Sequence, residues 1–78
     1  MMDDTYIYAM LALHTLAAKE AFGADAVVAL NVGEPGVYEN NPTIIEYEQK
    51  GYKFCDANMF GEGLERMETL TFRKVNKG

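Results

Sequence analysis

An α/β (α+β) fold is what this sequence predicts: a small two-layer sandwich in the order helix, strand, helix, strand, strand, with a three-stranded mixed sheet ending in a C-terminal hairpin. Three observations point there. A 3.6-residue apolar rhythm opens the chain, runs of β-branched and aromatic residues bounded by glycine follow, and an Asn-Pro start with a glycine stop frames a second helical segment between two such runs. With 78 residues, the chain is expected to make one domain, residues 1–78. A chain of this size buries only roughly 60% of the surface its unfolded form exposes, so its core is thin and self-association would help it.

Asp3, Asp4 and Thr5 are competent N-caps, and anionic side chains there suit the positive end of a helix dipole. Ile7, Met10, Leu11, His14, Ala17, Ala18 and Phe22 then follow the i, i+3, i+4 spacing, and Gly23 sits where a left-handed terminal residue is wanted. A helix over residues 4–22 is expected. The competing reading starts TYIYAM as a strand, since Thr, Tyr and Ile favour pleated structure. As a helix, the segment is apolar nearly all round at first, because Tyr6, Ala9, Leu13 and Leu16 lie off the periodic stripe. Such a helix needs cover on more than one side.

AVVALNV at 26–32 lies between Gly23 and Gly33 and reads as a strand, with Val28, Leu30 and Val32 on one face and Val27 and Ala29 on the other. Residues 33–42, GEPGVYENNP, form the longest loop. Asn41-Pro42 then offers a cap and a proline at the first helical position, and Gly51 offers the stop, framing a short helix at 43–50 in which Glu46 and Lys50 pair at i, i+4. The same residues also read as a strand turning at Lys50-Gly51, with Glu48 opposite Lys53 and Tyr47 opposite Phe54. The matching signals at both ends favour the helix. YKFCDANMF at 52–60 and METLTFRKV at 67–75 are strand-like, and GEGLER between them makes a hairpin. Strands 1 and 2 are then expected to run parallel through a right-handed crossover, strand 3 antiparallel on the hairpin, and 76–78 as a frayed tail.

Seven Lys and Arg against twelve Asp and Glu give a net charge of -5, and the basic residues at 19, 50, 53, 66, 73, 74 and 77 are scattered along the chain. A phosphate backbone would be repelled, so no direct nucleic-acid partner is expected. The carboxylate excess is also too modest for a mimic of nucleic acid. No basic residue precedes the apolar run, and its uncharged stretch at 5–18 is too short for a bilayer, which needs about twenty residues. The expectation is a cytoplasmic protein with no membrane partner. One cysteine cannot close an internal disulfide, and no Cys/His cluster supplies a structural zinc site.

His14 is the only histidine, and on an apolar helix it is expected to hydrogen-bond within the fold or at an interface rather than to serve as a base or ligand. Cys55 is a lone thiol beside Asp56, whose charge disfavours the thiolate. Glu46, Glu48 and Asp56 could pair as acid and base, but a domain this small has little depth for a substrate groove. GEPG lacks the Gly-Lys-Ser or Gly-Lys-Thr of a phosphate loop, and serine is absent. No catalytic, cofactor-binding or metal-ligating residue is therefore assigned, and no cofactor is expected.

Contact surfaces are better represented. Val37 and Tyr38, with Glu39 and Asn40, place a tyrosine anchor on a polar loop, and Leu64 stands between Glu62 and Glu65 at the hairpin tip. With Tyr6, Leu13 and Leu16 of the first helix, these are the candidate partner-binding residues.

The first helix followed by FGADAVVALNV resembles the helix-then-strand segment of a small oligomeric bacterial family of heavy-metal-binding domains. The likeness covers that segment alone and carries no functional residue over. The expected function is a small acidic, non-enzymatic protein-binding module, such as a phage or mobile-element inhibitor of a host defence complex, anti-CRISPR action being one version. The alternative is a homo-oligomeric small-ligand or metal-binding protein in which copies of His14, Cys55 or carboxylates combine. A third reading is a hydrolase using Cys55 or Asp56.

Overall fold

The computed structural model describes residues 3–75, so the tail at 76–78 lies outside the described residues. Its elements are α1 (Asp4–Phe22), β1 (Val27–Leu30), α2 (Pro42–Gln49), β2 (Tyr52–Phe60), a single 3₁₀ turn (Gly63–Glu65) and β3 (Met67–Lys74). This is the expected order. The Asp3 carboxylate accepts a hydrogen bond from the Thr5 amide at 2.9 Å, and Gly23 ends the helix at φ 108°, so TYIYAM is helical. At the second ambiguous segment, Asn41 Oδ1 accepts from the Thr43 and Ile44 amides at 2.9 and 3.2 Å, with Pro42 in the first turn. That cap gives the segment to a helix, which ends at Gln49 with Lys50 as its C-cap.

The sheet order is β1-β3-β2, and β3 runs antiparallel to both neighbours. β1 and β2 do point the same way, but β3 lies between them, so the expected mixed sheet is instead wholly antiparallel. The physical reason lies in β3 itself, whose residues Glu68, Thr69, Leu70, Thr71 and Phe72 are all buried. A strand covered on both faces belongs at the centre, and the four-residue β1 takes an edge. A register shift between Phe54 and Asp56 sets Cys55 in a bulge of β2.

Alternation along β3 sorts the two faces. Leu70 and Phe72 lie with Val27, Ala29, Phe54 and Ala57 beneath Ile44 and Tyr47 of α2, the Tyr47 ring stacking on Phe72 at 4.6 Å. Thr69 and Thr71, paired with Leu30 and Val28 of β1, face the other way, where His14 of α1 reaches Thr69. The helices therefore cover opposite faces. The arrangement is helix, sheet, helix in three layers, where the sequence reading had two.

Candidate protein-association surface

α1 rests on the sheet along a narrow stripe. Ile7, Met10, Leu11, His14 and Thr15 are half-buried there, and Ala18 is the one buried side chain of the helix. Its N-terminal half is held by Phe60, whose ring meets those of Tyr6 and His14 edge-on, each at 6.1 Å. The outward side is open and apolar. Leu13 is 56% exposed, Leu16 65%, Tyr8 70% and Tyr6 43%, with Ala9, Ala12 and Ala17 exposed among them. No Asp, Glu, Lys or Arg occurs between residues 5 and 18 to rim this face. Single exposed apolar residues are ordinary, whereas a continuous face of them marks an interaction site.

The loop residues Val37, Tyr38, Glu39 and Asn40 are exposed, but Tyr38 is also an anchor for its own loop. Its hydroxyl donates to Glu68 Oε2 at 2.6 Å, and its ring lies 5.1 Å from that of Phe54. Glu68 is 1% exposed, and its other oxygen accepts from Asn31 Nδ2 at 2.9 Å and the Gly36 amide at 3.0 Å. Asn31 Oδ1 in turn accepts from the Gly33 amide at 2.8 Å and from Asn41 Nδ2 at 3.0 Å. The Glu68 hydrogen bond, partial burial and the negative charges of Glu68 and Asp56 raise the Tyr38 hydroxyl above its ordinary pKa. Sequence reasoning missed this network. Its one visible signal was a glutamate in a strand otherwise fit for burial, opposite a loop rich in asparagine.

The candidate contact residues thus separate into two regions. Tyr6, Leu13 and Leu16 lie on α1, whereas the 37–40 loop is tied to the opposite face of the sheet through Glu68. Leu64 is fully exposed on the 3₁₀ turn between the exposed Glu62 and Glu65, at the hairpin end where Phe60 pairs with Met67.

The residues weighed for catalysis do not assemble. His14 Nδ1 lies 2.7 Å from Thr69 Oγ1, the hydrogen-bonded role expected of it, while Cys55 Sγ contacts the Lys53 carbonyl at 3.4 Å. His14 and Asp56 do line one cavity with Asn58 and Thr71, yet its volume is about 150 Å³. Small-molecule sites run from about 300 Å³ upward. A second cleft of about 470 Å³ lies at the C-terminal end of α1, where Phe22 and Asp25 meet Lys53, Arg73 and Lys74. Glu46 pairs with Lys50 at 3.1 Å on the exposed side of α2. Among the described residues, no group of three or more His, Cys, Asp or Glu side chains is placed to hold a metal ion, and no helix is long and apolar enough to cross a membrane.

No family model matches this chain, and neither a curated protein nor a solved structure matches it. The resemblance of the helix-then-strand segment to heavy-metal-binding domains accordingly gains no support.

Proposed function

We propose that this chain is a small acidic protein-binding module with no catalysis of its own, and that its contact surface is the outward face of α1. The observation that supports this reading is the exposure of Leu13 and Leu16 on a helix side that carries no charge between residues 5 and 18. Water contact with that much apolar surface is unfavourable by about 25 cal/mol for each Å², and a partner relieves it. Inhibition of a host complex by a phage or mobile-element protein is the biological setting we favour, on grounds of size.

Affinity capture from a bacterial host lysate with the native chain and with a Leu13→Glu, Leu16→Glu variant tests the reading. A saturable partner held by the native chain and lost by the variant supports it. Recovery of the same proteins by both, together with no self-association of either, defeats it. The alternative, a homo-oligomer, is favoured by one specific observation: the spacing of the exposed side chains along α1.

A further inference from the structure

Resting on that reading of the α1 face, we infer that its occupant is a second copy of this chain, with the two α1 helices packed antiparallel across a two-fold axis at Leu13. Tyr6, Ala9, Leu13, Leu16 and Glu20 are spaced three, four, three and four residues apart, all exposed, which is the seam spacing of paired helices. An isologous contact must be complementary to itself. In the antiparallel register Leu13 meets Leu13, each Leu16 meets the small Ala9 of the other copy, and the Tyr6 hydroxyl meets the Glu20 carboxylate. Large side chains thus sit over small ones. In a parallel pair Leu16 would crowd Leu16, Ala9 would leave a gap against Ala9, and Glu20 would face Glu20 with like charge.

Charge favours the same arrangement. Asp3 and Asp4 stand at the start of α1, whereas Lys19 and Glu20 offset each other in its last turn, so antiparallel packing sets each acidic end beside a formally neutral one and opposes the two helix dipoles, where a parallel pair would bring the acidic ends together. Two subunits of net charge -5 meet along a stretch, residues 5–18, that carries no Asp, Glu, Lys or Arg, with Glu20 at the outer edge of the seam. Pairing at this face leaves the 37–40 loop of each copy on the far side of its sheet, directed away from the axis.

Light scattering and sedimentation equilibrium on the full chain test this, read alongside far-UV circular dichroism. The native chain is expected at twice its 8.7 kDa mass. Leu13→Glu sets carboxylate against carboxylate on the axis and should weaken the dimer at least about 100-fold while the circular dichroism is retained. Leu64→Glu, off the seam, should leave the mass unchanged. In a Cys55→Ala background, Leu13→Cys alone should oxidise to a disulfide-linked dimer, whereas Leu16→Cys should do so only with Ala9→Cys also present. Ready cross-linking of Leu16→Cys by itself overturns the antiparallel register. A native monomer at every concentration overturns the dimer altogether, and binding of an apolar fluorescent dye then separates the two ideas. Dye bound by the native chain and lost with Leu13→Glu and Leu16→Glu keeps the face as a surface for a different protein; dye binding unchanged by those substitutions removes the contact surface as well.

Discussion

Tyr38 donates its hydroxyl proton to the buried carboxylate of Glu68 across 2.6 Å, joining the tip of the longest loop to the central strand of the sheet. Three neutral donors, from Tyr38, Asn31 and the Gly36 amide, hold that carboxylate. A charge out of water is tolerated only when its oxygens are so satisfied, and among the described residues no buried side-chain polar atom lacks a partner. The loop at 31–41 is therefore a structured cover for one sheet face rather than a free connection.

Replacing Tyr38 with Phe removes one donor to a charged acceptor and should lower stability by about 1–3 kcal/mol in urea unfolding. The same variant carries a pH signature. The Tyr38 pKa is raised in the folded state above its usual 10.0, so below about pH 10 both states hold the proton and its contribution is fully present. As the pH rises further the unfolded state loses its proton first, and stability falls through the folded-state pKa. Native protein should lose stability more steeply above pH 10 than Tyr38→Phe does. Equal slopes would disprove the coupling.

Asn41 performs two tasks, capping α2 through Oδ1 and bridging to Asn31 and the Val37 carbonyl through Nδ2. Asn41→Ala should cost about 2–4 kcal/mol by thermal or chemical unfolding, the sum of a lost cap and two lost hydrogen bonds, one buried and one partly buried. Asn41→Ser, which can cap but not bridge, should recover part of that loss. An Asn41→Ala variant within experimental error of the native chain would show that the network contributes nothing.

At Gly33 a methyl group would lie 2.8 Å from Asn41 Nδ2 and 3.0 Å from Pro42 Cδ. Gly33→Ala should therefore destabilise by crowding, by about 1–3 kcal/mol. Truncating Asn41 removes the group it strikes, so Gly33→Ala with Asn41→Ala should cost less than the two singles added together. Strict additivity in that double-mutant cycle would refute the contact.

Thr69→Val keeps the shape of a central strand residue but takes the hydrogen-bond partner from His14 Nδ1. A loss of about 1–2 kcal/mol is expected, and His14→Ala in the same background should add less than it does alone.

Element boundaries were legible in the sequence because their causes are local. Asp3 and Gly23 frame α1, Asn41-Pro42 and Gly51 frame α2, and each signal acts through backbone groups a few residues away. The excess of apolar side chains on α1 was readable for the same reason, since Leu13 and Leu16 stand off the stripe that contains Leu11, His14 and Ala18 whatever the helix packs on. Tertiary structure alone decided the rest. β3 took the centre because its buried run pairs with the distant β1 as well as with its hairpin neighbour β2, and that choice made the sheet antiparallel and put one helix on each face. Glu68 became the hub of the loop only once Asn31, Gly36 and Tyr38, at least thirty residues away, were folded over it. Hydrogen bonds between such distant groups follow from the path of the chain in space, which no local spacing encodes.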